Sequence, residues 1–377
     1  MTDPLLTAAY AAYGWSPEVT VAPGPRGALG RIWRVRTPAG QYALKHSFET
    51  PPDGRLQAEL HLTRRAADAG VRVPATHPAA DGRLQVPAPG GGVLRLYDWV
   101  DLRPIDPAAA DTPERLGELL ARLHSCAPAA GQQEPWYHQA PDAAQFAAFT
   151  DQPWSARLDR LLTDLPQLTG ALTPPDPAAL RVCHRDLHPE NVQAGPDGDL
   201  VVLDWDQLGP ADPARELVQT LYAWFTIDAD DAATDASNNV SNSVSNSVSN
   251  SVSNGVEAGA GDAPVGDSAY RRAEDRMAAC YAAYVDAGGP GRVTGPGDYT
   301  MLLADRLNFL LHQARIAADP GTSADDRAWA ELEIDETLRL LPTPEQLRVS
   351  PARIGRTRPA APGPPPDDPR RAQPGRR

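Results

Sequence analysis

Apolar and polar residues alternate at the front of the chain. Segments 31–37 and 41–47 do so on either side of Pro38, Ala39 and Gly40, a pattern that predicts a β-hairpin. The period then changes over 55–69, where Leu56, Leu60 and Ala67, with Leu62 and Ala66 beside them, form an apolar stripe at helical spacing. Gly70 stands where such a helix would be capped. Two more strands are expected near 83–86 and 93–97, and from Thr112 the helical period takes over, at 113–125, 145–162, 213–227, 268–287, 299–317 and 324–341. One β-rich patch interrupts it at 192–206, where Pro196, Asp197 and Gly198 turn the chain into the apolar run 200–203. A strand-rich front and a helical rear predict an α+β, two-lobed architecture, with a small lobe over 1–97 and a larger, mainly helical lobe over 98–350.

Two segments leave this pattern. Residues 237–256 read SNNV SNSV SNSV SNSV SNGV, a four-residue repeat too short to stack as a solenoid and with one valine per unit to bury. The surrounding stretch 228–267 carries seven acids and no Lys or Arg, which predicts a disordered acidic insertion. The final segment, 351–377, holds seven arginines and two aspartates among Pro, Gly and Ala, and reads as a disordered basic tail.

Composition narrows the function. The net charge of -14 disfavours nucleic acid and anionic lipid as partners and leaves neutral or cationic ligands. No run approaches 18 apolar residues and the opening residues lack a signal-peptide pattern, so a cytoplasmic protein is expected. Cys126, Cys183 and Cys280 are widely spaced and include no C-x-x-C pair, which suggests neither a disulfide framework nor a zinc site.

The chemistry is concentrated at 184–191, HRDLHPEN, followed after a turn by the apolar run 200–203 and then Asp204, Trp205 and Asp206. This fits H-R-D-x-x-x-x-N, a catalytic loop of phosphoryl-transfer enzymes, with a metal-binding aspartate at the end of the next hairpin. Such a unit can aim Asp186, Asn191 and Asp204 into one cleft.

At these residues the chain resembles the aminoglycoside phosphotransferase and choline kinase-like family, small-molecule kinases that share the protein-kinase fold. His184, Asp186, Leu187, His188, Pro189 and Asn191 match its H-G-D-L-H-P-x-N loop, and Val202, Leu203, Asp204 and Trp205 match its metal-binding strand end. Arg185 departs from the glycine common in that loop and is the residue protein kinases carry there. After Asp204, however, the chain passes Gly209 to Asp212 straight into the next expected helix, without a long activation segment, which favours a small-molecule acceptor over a protein.

The resemblance implies ATP and Mg2+ as cofactors and, as acceptor, a hydroxyl of an aminoglycoside-like or other polar, amine-bearing small molecule; the alternatives are a metabolic kinase acting on choline, homoserine or a sugar, and behind it a protein Ser/Thr kinase or an inactive kinase-like scaffold. Asp186 would orient the acceptor hydroxyl and take its proton, with His184 and Asn191 in the same loop. Asn191 and Asp204 would hold metal. Lys45 would contact the ATP phosphates, with Glu59 on the following helix as its ion-pair partner. Gly24, Gly27 and Gly30 make a weak match to a phosphate-covering turn and fit an ordinary hairpin turn equally well. The run 94–100, LRLYDWV, reads as the passage between lobes, with adenine bonding backbone groups near Asp98 and Val100. His188 reads as a structural member of its loop, and His124, Ser125 and Cys126 as packing at a helix end. Trp224, Asp305, Asn308 and His312 lie on the helical rear where an acceptor would sit, at spacings that also suit packing.

Overall fold

Asp3 opens the first helix: its carboxylate accepts the Leu5 N–H at 2.9 Å, and Pro4 occupies the first helical position, where no N–H is needed. The resulting α1 (Pro4–Tyr13) was not apparent in the hydrophobic pattern. In this computed structural model, residues 3–26, 30–51, 54–226 and 267–355 are described. Strands β1 (Thr20–Arg26), β2 (Gly30–Thr37) and β3 (Gly40–Ser47) follow, with Pro38 and Ala39 turning the predicted hairpin. Next come α2 (Arg55–Asp68), β4 (Thr76–His77), β5 (Val86–Pro87) and β6 (Val93–Asp98). The expected strand at 83–86 shrinks to β5, and β4 adds a short edge. The sheet order is β1-β2-β3-β6-β4, with β5 also on β6 and every pair antiparallel.

The pleat separates two tasks. Trp33, Leu44 and Leu96 stand opposite one another and join a core closed by Leu5 and Ala9 of α1. One residue on, Ile32, Lys45 and Arg95 are paired across the same three strands, on the other face. That face is covered by α2, which buries Glu59, Leu62 and Ala66. The stripe expected from Leu56, Leu60 and Ala67 is therefore displaced, because a buried glutamate does not register as a core position in an apolar pattern.

The larger lobe begins with α3 (Thr112–Cys126). The helix expected over 145–162 is broken into α4 (Ala143–Ala147), a 3-10 turn at Ser155–Leu158 and α5 (Asp159–Gly170). Pro153 accounts for the break, since it biases its predecessor away from helical geometry. Short strands β7 (Arg181–Cys183), β8 (Val192–Ala194), β9 (Leu200–Val202) and β10 (Gly209–Ala211) make two antiparallel pairs, β8 with β9 and β7 with β10. The remaining helices are α6 (Pro213–Phe225), α7 (Asp267–Asp286), α8 (Thr300–Ala318), α9 (Ala324–Leu340) and α10 (Pro344–Ile354). Helix α10 carries a capping box between Thr343 and Gln346 and buries Pro351 and Ile354, so the chain expected to be disordered from 351 is helical to 354. Glu274 of α7 anchors it by accepting the Ser350 hydroxyl at 2.5 Å and pairing with Arg353. The acidic repeat and the rest of the basic tail lie outside the described residues.

Helix α3 packs most closely on α7 at Gly117, where an added Cβ would lie 2.3 Å from the Cys280 carbonyl oxygen. Gly117→Ala must force the helices apart and is expected to cost about 1–3 kcal/mol, read as a lower midpoint in thermal unfolding.

Candidate active site

Strand β7 delivers the chain into the catalytic loop with Arg185 at φ 69, a left-handed conformation that disfavours a side chain. A glycine there would pay no such cost. Arg185 is held instead by many partners. Its N–H donates to Glu216 of α6, its Nε to the Gln207 carbonyl at 2.6 Å, and its guanidinium pairs with Glu134 at 2.6 Å and lies 4.0 Å above the Tyr137 ring. Gly209 makes the room, since a Cβ at that position would fall 2.3 Å from the guanidinium. Glu216 is in turn bonded by His124 Nε2 at 2.7 Å, and His124 Nδ1 meets the Tyr284 hydroxyl at 2.8 Å. His124, Cys183 and Glu216 thus form a buried cluster, but the His124 and Glu216 atoms are engaged in a hydrogen-bond network that supports the loop.

Asp186 follows. The Asn191 side-chain Nδ2 donates to its carbonyl at 2.9 Å and to its carboxylate at 3.0 Å. This leaves Asn191 Oδ1 without a protein partner among the described residues. The expected catalytic residue His184 is buried, lies with its ring tilted 4.6 Å from that of Trp205 and bonds the Leu203 carbonyl through Nε2 at 2.8 Å. Its place is that of a brace between the catalytic loop and the strand bearing Asp204, and Leu203 N donating to the Asn191 carbonyl at 2.8 Å is the second tie. His188, read from sequence as structural, lies within 3.0 Å of Asn191 Nδ2 and 3.7 Å of Asp186. Burial alone would lower its pKa, but the Asp186, Glu190 and Asp204 carboxylates outweigh it and raise it.

Asp204 also has a left-handed backbone, φ 49, which ends β9 and turns its carboxylate to the cleft. Lys45 Nζ reaches Asp204 Oδ1 at 2.7 Å and Asp206 Oδ2 at 2.9 Å. The expected Lys45–Glu59 pair is not formed. Arg95, directly opposite Lys45 in the sheet, intervenes: it pairs with Glu59 at 2.5 Å and with Asp206. A guanidinium with two ends can serve two carboxylates at once, so Glu59 is linked to Lys45 only through Arg95 and Asp206. Tyr97 adds a longer hydroxyl contact to Glu59 at 3.4 Å. Burial opposes the charge on Lys45, yet the two aspartates raise its pKa, and Lys45 correspondingly lowers that of Asp204 against the effect of burial. Arg95 and Asp206 are site residues that sequence reading missed. The signal was available in the alternation, which puts Arg95 of LRLYD on the face of Lys45.

Gly30 sits where β2 meets β3, and a Cβ would lie 2.7 Å from the His46 carbonyl oxygen, so close strand approach requires the glycine. Gly27 lies outside the described residues. At the end of β6, Asp98 is fastened by its N–H to the Ala75 carbonyl at 2.9 Å and by its carboxylate to His77 at 2.6 Å. Trp99 N donates to the Gln41 carbonyl at 3.3 Å, and no hydrogen bond engages the Val100 N–H among the described residues. That leaves a backbone donor at the passage between lobes.

On the other side of the catalytic loop, a 3-10 turn at Pro135–Tyr137 is pinned to α8: Asn308 donates to the Trp136 carbonyl at 2.9 Å and to that of Gln139 at 2.7 Å, and Trp136 Nε1 donates to Asp305 at 2.6 Å. Of the other candidates, Trp224 is core and bonds the Leu187 carbonyl at 2.9 Å, while His312 is exposed. The Asp204 carboxylate and the Asn191 amide oxygen, the two ligands expected from the sequence, are hard oxygen donors of the kind that suits Mg2+.

The sequence profile described as the phosphotransferase enzyme family matches residues 20–239, more than half of the chain. An uncharacterized protein of Deinococcus radiodurans is 25% identical over 253 residues, 62% of this chain, and this chain spans 65% of that relative's length. Solved structures share the fold at low identity. A spectinomycin phosphotransferase in complex with ADP and spectinomycin aligns at 14% identity and TM-score 0.56, covering 91% of this chain and 98% of that one. A microcompartment-associated aminopropanol kinase aligns at 15% and 0.56, covering 94% and 100%. An amicoumacin kinase in complex with AMP-PNP and Ca2+ aligns at 19% and 0.52, covering 91% and 96%. The two-lobed protein-kinase-like fold follows from these likenesses, and the profile match places the chain in a family: the protein belongs to the phosphotransferase enzyme family.

Proposed function

We propose that the protein is a cytoplasmic Mg-ATP-dependent kinase that transfers the γ-phosphoryl group of ATP to a hydroxyl of a small polar acceptor. Aminoglycoside-like antibiotics come first among these, as in a resistance enzyme, with choline, homoserine or sugars as the alternative. The observation that carries this reading is the double staple of His184 to Leu203 and Asn191 to Leu203. Both ties fix the loop bearing Asp186 to the strand end bearing Asp204, the carboxylate that Lys45 pairs with, which supports one shared site. A protein acceptor is disfavoured because only a short turn and β10 separate Asp204 from α6.

In this mechanism Asp186, fixed by Asn191, orients the acceptor hydroxyl and receives its proton as the new oxygen–phosphorus bond forms and the bond to ADP breaks. Lys45 neutralises phosphate charge on the opposite side. Gly30 would leave room for the phosphates, the Asp98 and Val100 backbone would bond the adenine, and Glu59 would act through Arg95. Asp204 and Asn191 would hold the metal, which when bound supplies charge neutralisation between the phosphates. Most of the work is positioning, which suits a site stapled at so many points.

Binding is tested without knowing the acceptor. Mg-ATP at about 100 times its dissociation constant is expected to stabilise the fold by about 2.7 kcal/mol in thermal unfolding, and Asp204→Asn should remove the magnesium dependence of that shift. An equal shift in Asp204→Asn would reject the metal assignment.

A further inference from the structure

The hairpin β8–β9 carries both expected metal ligands at its open end: Asn191 directly precedes β8, and Asp204 stands two residues beyond β9. Its strands have three residues each, and a two-stranded ribbon so short does not hold a position by itself. It is held from outside. On one edge Arg103, in the passage between lobes, exchanges both backbone hydrogen bonds with Ala194 at 2.9 Å. On the other edge the Arg72 carbonyl, just after α2, accepts the Val202 N–H at 3.0 Å. At the closed end Gly195 N donates to the Asp199 carbonyl at 2.8 Å and Gly198 N to that of Gly195 at 3.0 Å, so the turn closes on its own. Two guanidiniums nevertheless converge on its carbonyls. Arg103 donates to Pro196 at 2.9 Å and to Gly195 at 3.4 Å, and Arg115, from α3, donates to Gly198.

Hydrogen-bond satisfaction does not account for these arginines. Asp197 in the turn is 77% exposed and Arg103 is exposed, so water reaches this turn and would serve its carbonyls as well. What the guanidiniums add is a fixed place for the tip, held from the passage between lobes on one side and from the large lobe on the other. A shift at the tip is carried to Asn191 and Asp204 along about 10 Å of ribbon, three residues at the rise of a strand. Asp186 is fastened differently: Glu216 accepts the Arg185 N–H and Trp224 donates to the Leu187 carbonyl at 2.9 Å, both from α6. The metal ligands and Asp186 thus depend on separate anchors, joined at Leu203. We infer that Arg103 and Arg115 are positioning residues for the metal: they set the hairpin so that Asn191 and Asp204 meet the metal–nucleotide complex, and they leave the acceptor side unchanged. This rests on the phosphotransfer reading above and adds to it which residues outside the cleft govern its metal dependence.

The test is the thermal shift induced by ADP in the full-length protein across a magnesium titration, which needs neither acceptor nor turnover. In Arg103→Met/Arg115→Met, the magnesium concentration giving half of the metal-dependent shift should rise on the order of 10-fold, as for one or two lost hydrogen bonds. The shift from ADP without metal should stay at the parent's value. Each single variant should show part of the effect and serves if the double variant does not fold. Arg103→Lys keeps a donor long enough to reach the turn, and should recover most of what Arg103→Met loses. Arg122→Met is the control: Arg122 pairs with Glu118 at 3.1 Å on the exposed face of α3, away from the hairpin, and its loss should change nothing. A magnesium requirement equal to the parent's in the folded double variant, whether or not its unfolding midpoint falls, overturns the inference and leaves the phosphotransfer reading intact. An equal loss of metal-free ADP binding does the same. A parent whose ADP shift ignores magnesium overturns the metal assignment itself, and this inference with it.

Discussion

Asp186→Ala is expected to lower acceptor-dependent phosphate transfer by about 10^2–10^4-fold, the range for a lost general base. The reason is local. The Asn191 amide donates to the Asp186 carboxylate at 3.0 Å and to its carbonyl at 2.9 Å, so the carboxylate is presented in one orientation without a search through rotamers. The loop itself is held from behind by Glu216 on the Arg185 N–H and by His184 on the Leu203 carbonyl, contacts that the substitution leaves in place. Unfolding midpoint and nucleotide-induced shift should therefore stay near those of the parent while turnover falls. Turnover within a few-fold of the parent would remove Asp186 from the mechanism.

The second large effect is on stability. Arg95→Met should cost about 3–5 kcal/mol, because it leaves buried carboxylates without their cation. The Arg95 and Glu59 side chains are 2% and 4% exposed, and after the substitution Glu59 would keep only the Tyr97 hydroxyl at 3.4 Å. Asp206 would retain Lys45, at 2.9 Å, so the loss falls mainly on Glu59. Combining Arg95→Met with Glu59→Gln should recover part of the lost stability, since a neutral amide in that place no longer demands a counter-charge. Chemical denaturation of the four members of this cycle gives the coupling directly. Additive losses would show that Arg95 and Glu59 do not act as a pair.

These two residues also mark where the sequence stopped being informative. The catalytic loop and the strand carrying Asp204 are legible because their geometry is local: one tight loop and one hairpin, with side chains close in sequence. The hairpin β2–β3 is legible for the same reason. The partner of Glu59 is not, because it depends on which residue β6 places beside Lys45, some fifty positions later in the chain. Apolar periodicity also fails where charge is buried, which is why the stripe of α2 centres on Leu56, Leu60 and Ala67 while the buried face runs through Glu59 with the flanking Leu62 and Ala66. It failed again at 145–162, where Pro153 outweighed the helical spacing, and at 351, where burial of Pro351 and Ile354 carries a helix into a composition that reads as unfolded. Arg185 looked like a departure toward protein kinases. Its φ of 69 and its ties to Glu134, Gln207 and Glu216 show instead how this chain stabilises a backbone position that glycine would occupy freely.

The central claim is best tested by following the phosphoryl group itself. Purified protein would be incubated with Mg-ATP and a panel of aminoglycosides, other hydroxylated antibiotics, choline, homoserine, amino alcohols, sugars and a generic protein substrate. Products would be read by phosphorus NMR alongside ADP release. The account predicts a phosphomonoester on a small hydroxylated acceptor, formed together with ADP and absent with Asp186→Ala. ADP release independent of every small acceptor, or phosphate appearing on the protein substrate alone, would contradict it.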